Sequence, residues 1–562
     1  MIRLQSPSSA AAVAAALLLL LLLLAAATGA DAEAAKRVVR TRHGTVRGTA
    51  KQSYQGRHFL AFYNIPFAKP PVGPLRFRSP QPPVSWEHVR DATVPGPTCT
   101  QNSIFEKSQP PIGTEDCLYL NVFTPQIKPA KLLPVMVWIH GGGFVEGSAT
   151  WYEPGFLLDH EIVLVTINYR VGLLGFLNTG DENAPGNYGL KDQVAALRWV
   201  KENVEAFGGD PNSVTIFGES AGGASVHYLM HSPLTRGLFH RAISQSGVST
   251  ALWAAPEPGA LEKARKVAAM VGCPSEPNAA LIDCLRTVDD YTLIATEWSF
   301  FEWFITPPIP FRAVIEGEGE DSFLPKHPAD LEPHTNVPWL TGVTIDEGYF
   351  ISAPIIVNKT MLSELKENSK RLLPKSVPYH LLPQADLINE KIHDFYFSRG
   401  FSNDKITEFY SDSVFIWPAV DAVGRYKDRA PVYFYLFSYK GKYSFTDLAG
   451  SDEISGVAHG DDLLYLFSNN SYYTIPGERP AKDMEVVKAM TKLWTNFAKT
   501  GNPTPNDELI HWPRVTSDTE PEYLEIGEKL EAKKGLLEER MEFWRSLPLS
   551  RVPQRNVEKQ EL

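Results

Sequence analysis

The 562-residue chain is 43% hydrophobic, 21% charged and 11% aromatic, with a formal net charge of −11. These values describe an ordinary globular protein with ample length for a large core, and they exclude a disordered or fibrous chain. The negative balance argues against a nucleic-acid surface, since such partners need a basic face.

At the N-terminus, Arg3 precedes an apolar run of Ala, Val and Leu from about Ala10 to Ala27, followed by the small residues Thr28, Gly29 and Ala30. A positive start, an apolar middle and a small-residue end make 1–30 a signal peptide cut after Ala30 or Ala32. An uncleaved anchor is the alternative, given the hydrophobicity of Leu17–Leu24. No other apolar run approaches the roughly 20 residues of a membrane span. The four cysteines suit an oxidising compartment and allow three pairings, Cys99–Cys117 with Cys273–Cys284 being the nearest-neighbour one. Asn358-Lys359-Thr360 and Asn469-Asn470-Ser471 are N-glycosylation sequons.

Past the signal, Arg40–Arg47 reads as a short edge hairpin, and the proline-dense stretch from Ile65 to Pro97 reads as extended surface loop, because proline removes ladder donors and breaks helices. Leu118–Phe123, Pro134–Ile139 and Ile162–Tyr169 are near-continuous apolar runs, the mark of strands covered on both faces by helices. The spacing Val194, Leu197, Val200, Val204 predicts a helix over Lys191–Phe207 that stops at Gly208-Gly209. Further strands are expected at Trp339–Val343 and Pro431–Tyr439, and a long helix at Ala481–Lys499. Strands alternating with helices imply an α/β architecture with a mostly parallel sheet, whose ligands bind beyond the carboxyl ends of the strands. Length alone would suggest about three or four domains, but no Gly/Ser or charged linker and no internal repeat divides the chain.

The chemistry concentrates at Phe217-Gly218-Glu219-Ser220-Ala221-Gly222-Gly223, between the β-rich run Val214–Phe217 and the helix-compatible run Ala224–Met230. Serine between glycines at a strand-to-helix turn is a nucleophile elbow. The sharp turn presents Oγ clear of the sheet and leaves no room for neighbouring Cβ atoms, while the helix N-terminus beneath favours an oxyanion. Upstream, strand Pro134–Ile139 runs into His140-Gly141-Gly142-Gly143-Phe144, whose backbone N–H groups, joined by that of Ala221, suit an oxyanion hole. His140 precedes the nucleophile and is expected to pack against the glycine loop. Among the histidines downstream (His380, His393, His459 and His511 included), only His459 sits in a glycine-flanked polar turn, Gly456–Asp462. Asp346 and Glu347, just past the strand end Thr341–Val343, are the acid candidates, and spacing alone does not separate them.

The Gly-Glu-Ser-Ala-Gly elbow, the His-Gly-Gly-Gly loop, Glu115–Asn121, Gly186–Gln193 and Gly456-x-x-His459 together resemble the type-B carboxylesterase family, α/β-hydrolases that include cholinesterases and neuroligins. The likeness runs from about Val38 to about Trp544 and is nearest to insect-type carboxylesterases. It implies an α/β-hydrolase fold with a central, mostly parallel twisted sheet, and a single catalytic domain over 31–562 ending in a short tail. By motif it implies Ser220 as nucleophile, His459 as base, Glu347 as acid, Gly142, Gly143 and Ala221 as oxyanion donors, Ser246 close behind the triad, and the pairs Cys99–Cys117 and Cys273–Cys284. The expected reaction is hydrolysis of small-molecule carboxylic esters over a broad, detoxification-type range, with no cofactor and no metal. A dedicated hormone or odorant esterase, such as a juvenile hormone esterase, is the alternative, and a non-catalytic adhesion protein a more distant one. Gln101–Asp116 contains no Trp, which argues against choline esters, and juvenile hormone esterases usually carry Gln at the position of Glu219. The ending Lys559-Gln560-Glu561-Leu562 resembles an endoplasmic-reticulum retrieval signal, so retention in that lumen stands beside secretion.

Overall fold

The structure is a computed structural model and describes residues 37–103, 107–451, 453–469 and 477–549. The signal peptide and the Lys559–Leu562 ending lie outside the described residues.

The strands, in chain order, are β1 (Val38–Arg40), β2 (Thr45–Arg47), β3 (Thr49–Gln52), β4 (His58–Pro66), β5 (Val89–Asp91), β6 (Tyr119–Thr124) and β7 (Leu133–Ile139). They continue as β8 (Val163–Ile167), β9 (Gly209–Glu219), β10 (Arg241–Gln245), β11 (Trp339–Thr344), β12 (Val432–Phe437), β13 (Glu522–Ile526) and β14 (Leu530–Lys534). Eleven of them form one sheet in the order β14-β13-β12-β11-β10-β9-β7-β8-β6-β4-β3. From β13 across to β8 every pairing is parallel, while β14 at one edge and β6, β4 and β3 at the other pair antiparallel. This is the mixed, mostly parallel sheet expected of an α/β-hydrolase.

The parallel block is built as its apolar runs require. In β7, Val135, Val137 and Ile139 join the core on one face of the sheet, while Met136 and Trp138 join the core on the other. Side chains alternate with period two along a strand, so a run apolar at every position is stable only when both faces are covered. The helix Tyr188–Asn203 places Leu190, Val194, Leu197 and Val200 in the first core. The helix Ala481–Thr500 places Val487, Met490, Leu493, Trp494 and Phe497 in the second. Each helical run stops at a left-handed glycine, Gly208 (φ 85°) after the 3-10 turn Val204–Phe207 and Gly501 (φ 78°), where a residue with a Cβ would be strained.

Two features differ from the sequence expectation. The hairpin Val38–Arg47 belongs not to the large sheet but to a separate three-stranded sheet, where β2 pairs in parallel with β5. The strand β5 and the last residues of β4, Ile65 and Pro66, lie inside the proline-dense stretch, and β5 is too short to show a period. Cys99 bonds to Cys117 and Cys273 to Cys284.

Candidate active site

Five strands of the parallel block deliver residues to one end of the sheet. The chain leaves β7 into His140–Phe144, β9 into Ser220, β10 into Ser246, β11 into Glu347, and β12 into the longer connection that carries His459. Ser220 takes φ 57°, ψ −122°, outside the regions open to most side chains, and caps the helix Ala221–His231. Its N–H donates to the Gln245 carbonyl at 2.8 Å. The flanking glycines are sterically required: a Cβ on Gly222 would stand 2.1 Å from the Ile139 oxygen, and one on Gly218 would stand 2.6 Å from the Ile139 and Gly222 oxygens. Such strain persists only where the surroundings impose it, and it clusters at sites of chemistry.

His459 and Glu347 are buried and joined, with Nδ1 donating to Oε2 at 2.6 Å; Glu347 Oε1 accepts the Thr344 N–H at 2.8 Å. The adjacent Asp346 turns elsewhere, accepting the Val457 N–H at 3.0 Å. The other imidazole nitrogen, Nε2, has no hydrogen-bond partner among the described residues and faces Glu219 Oε1 at 3.1 Å, outside hydrogen-bond geometry. Burial pushes the Glu219 carboxyl up to about 8. Burial alone would lower the His459 imidazole, but Glu219 and then Glu347 outweigh it and hold it up at about 9. Two carboxyl groups on one imidazole favour its charged form.

The glycine loop packs directly on the elbow. A Cβ on Gly141 would lie 2.8 Å from the Glu219 carbonyl oxygen and 3.1 Å from Ser220 Cβ. Gly142 and Gly143 both take positive φ, 99° and 61°, which lets the backbone curl past the serine. His140 is fully buried, stacks on Tyr169 with centroids 4.3 Å apart and donates from Nδ1 to the Gly141 carbonyl. Burial lowers it to about 4, so it is neutral and structural in this loop. Gln101, inside the Cys99–Cys117 loop, brackets the next turn, accepting the Gly147 N–H at 2.7 Å and donating to the Gly147 carbonyl at 3.0 Å.

A strained serine at a strand-to-helix turn, an imidazole–carboxylate pair and a glycine loop thus meet at the carboxyl edge of the sheet. The sequence profile described as the carboxylesterase family matches residues 35–544. The chain belongs to the carboxylesterase family. It is a serine carboxylic-ester hydrolase whose substrates are small-molecule esters. Among curated relatives, the juvenile hormone esterase of Tribolium castaneum is 38% identical over 87% of this chain and 88% of its own length. Esterase E4 of Myzus persicae is 38% identical over 84% and 88%, and the liver carboxylesterase of Sus scrofa 37% identical over 92% and 94%. A crystal structure of juvenile hormone esterase from Manduca sexta, with OTFP covalently attached, superposes with a TM-score of 0.80 at 30% identity, covering 91% of this chain and 99% of that one.

This carboxylesterase also holds residues that sequence reasoning did not single out. Gln245, next to Ser246, donates to Asp462 Oδ2 at 2.8 Å and accepts from Trp494 Nε1 at 3.0 Å. Asp462 Oδ2 also accepts from the Tyr435 hydroxyl at 2.7 Å. Asp461 accepts from the Ala458 N–H at 2.8 Å and the Phe445 N–H at 2.7 Å, tying down the turn that carries His459. Two consecutive acids one residue beyond a loop histidine, Asp461 and Asp462, were the available signal. Ser246 itself is buried at φ 51°, its N–H donates to the Gly342 carbonyl at 2.9 Å, and its Oγ has no hydrogen-bond partner among the described residues. Asn358 and Asn469 are exposed. No helix among the described residues is long and apolar enough to cross a membrane.

Proposed function

We propose that this carboxylesterase works through an acyl-enzyme on Ser220, with His459 as general base and acid and Glu347 as its orienting carboxylate. The observation that carries the reading is the Nδ1–Oε2 bond of 2.6 Å between His459 and Glu347, made at the same sheet edge as the strained serine. With Nδ1 committed to Glu347, Nε2 is the nitrogen free to take the Ser220 proton. As Oγ attacks the ester carbonyl, the carbonyl oxygen becomes an oxyanion held by the N–H groups of Gly142, Gly143 and Ala221. The imidazolium then protonates the departing alcohol, and water repeats the cycle on the acyl-enzyme. In this reading the reaction needs no metal or cofactor, Ser246 lies behind the triad, residues 31–562 form one catalytic unit, and residues 1–30 direct the chain to the secretory pathway. The chain is then secreted, or kept in the endoplasmic reticulum by Lys559–Leu562, with Asn358 and Asn469 as glycan sites.

The substrate range is read as broad. At 37–38% identity the relatives include proteins named juvenile hormone esterase, liver carboxylesterase and medium-chain fatty acyl-CoA hydrolase, so likeness does not single out one ester. Glu219 in the elbow argues against a dedicated juvenile hormone esterase. The test is hydrolysis of a short-chain p-nitrophenyl ester by the purified wild type beside Ser220→Ala. Turnover should fall on the order of a millionfold in the variant; equal turnover in both proteins would remove Ser220 from the mechanism.

A further inference from the structure

Between the helices Asn403–Tyr410 and Trp417–Tyr426 the chain winds as a π-helix over Ser411–Ile416. Such turns are rare inside helices and are frequently found at functional sites. All six residues are buried, and the segment reaches both members of the imidazole–carboxylate pair. Ser411 Oγ accepts the N–H of Gly348, the residue after Glu347, at 2.8 Å and donates to the Thr407 carbonyl at 2.8 Å. The approach there is close, since a Cβ on Gly348 would stand 2.1 Å from the Thr407 oxygen and 2.7 Å from Ser411 N. Four residues on, the Phe415 ring lies across the His459 imidazole with centroids 4.2 Å apart and planes 31° apart. Phe350, in the first turn of the helix Tyr349–Val357 that follows Glu347, meets the imidazole edge-on at 5.1 Å. Asp412, the charged residue of the turn, points away into a bidentate pair with Arg540.

We infer that Phe415 and Ser411 are positioning residues of the ester hydrolysis: this π-helical turn holds the acid loop and the imidazole in register, and the Phe415 ring favours the imidazolium that forms as Ser220 attacks. The inference rests on the Ser220–His459–Glu347 reading. An aromatic face attracts a cation, most strongly when both are desolvated, and His459 is buried. The other groups that face it are Glu347 from the β11 connection, Glu219 at the end of β9 and Asp462 from its own turn. All are carboxyl groups, so they and the ring act in the same direction. Replacing Phe415 by Leu keeps apolar bulk and removes the ring's quadrupole.

The experiment is the pH dependence of kcat/KM, which reports the free enzyme, for p-nitrophenyl acetate and p-nitrophenyl butyrate. It is run on the wild type, Phe415→Leu, Ser411→Ala, Ser411→Thr and His459→Ala, with thermal melts to establish folding. Phe415→Leu should move the acid limb to lower pH by about half a unit to one unit and cut kcat about three- to tenfold with both esters. Ser411→Ala should cut kcat about tenfold at unchanged KM, with Ser411→Thr restoring most of it, because the lost acceptor leaves a buried N–H unsatisfied beside Glu347. An unmoved limb in a folded Phe415→Leu, with effects only on KM that differ between the two esters, would make Phe415 a pocket wall and overturn its role. If that variant does not fold, wild-type kcat in Ser411→Ala overturns the register argument by itself. Activity retained in His459→Ala would instead overturn the triad beneath the inference.

Discussion

Glu219 is the residue whose chemistry is set most by its surroundings. It is fully buried, its Oε1 faces His459 Nε2, and its carboxyl is raised by burial. As an anion it raises the imidazole, so the fraction of neutral His459 that the proposed mechanism needs grows only on the alkaline side. Glu219→Gln removes that negative charge, the imidazole falls back toward its ordinary value, and the acid limb of kcat/KM should move to lower pH, with the shift read from a rate profile between pH 5 and 10. Glu347→Gln acts in the opposite sense on function. It leaves Nδ1 without its carboxylate, and kcat should drop on the order of ten-thousandfold, as for a triad acid replaced by its amide; a drop below tenfold would mean that Glu347 does not orient the base.

The elements around the site are held by contacts that tolerate little change. The turn at Ser220 admits nothing larger than hydrogen at Gly222, where a Cβ would meet the Ile139 carbonyl at 2.1 Å. Gly222→Ala must therefore push the helix Ala221–His231 away from β7, and soluble protein from that variant should lack esterase activity when assayed beside the wild type. The glycine loop is supported from outside by the Cys99–Cys117 loop through Gln101. Closing a loop of 18 residues stabilises by about 2–4 kcal/mol in the chain-entropy view. The double variant Cys99→Ala/Cys117→Ala should show a lower urea midpoint of that size, and activity should fall with it because Gly147 loses its fixed bracket.

Across the whole molecule, the last helix among the described residues, Glu538–Ser546, is part of the machinery's frame. Arg540 forms two hydrogen bonds to Asp412, at 2.7 and 2.5 Å, and the Tyr396 hydroxyl donates to the same carboxylate at 2.6 Å. Removing one partner of a buried pair leaves an uncompensated charge, a loss of about 3–5 kcal/mol. Arg540→Leu should therefore lower stability by that order in denaturant titration. A loss below 1 kcal/mol would show that Tyr396 alone satisfies Asp412.

The sequence by itself determined the chemistry and its mounting. The elbow Gly218–Gly222 and the loop His140–Gly143 are legible because a strained turn and a close backbone approach admit few residue types, so geometry leaves its mark in local composition. The apolar runs of β7, β8 and β11 are legible because strands buried on both faces have no polar alternation. Tertiary structure decided whatever depends on partners far apart in the chain. Asp346 and Glu347 are neighbours with similar chemistry that spacing alone does not separate; the resemblance pointed to Glu347, and the return of the chain after β12 is what brings His459 against it. The sequence used Glu219 only to set the chain apart from juvenile hormone esterases, and folding places it opposite the same imidazole. The π-helical turn at Ser411–Ile416 has no sequence signature of its own. Its winding follows from Gly348 on one side, Arg540 on the other and His459 above, contacts that exist only once the chain is folded.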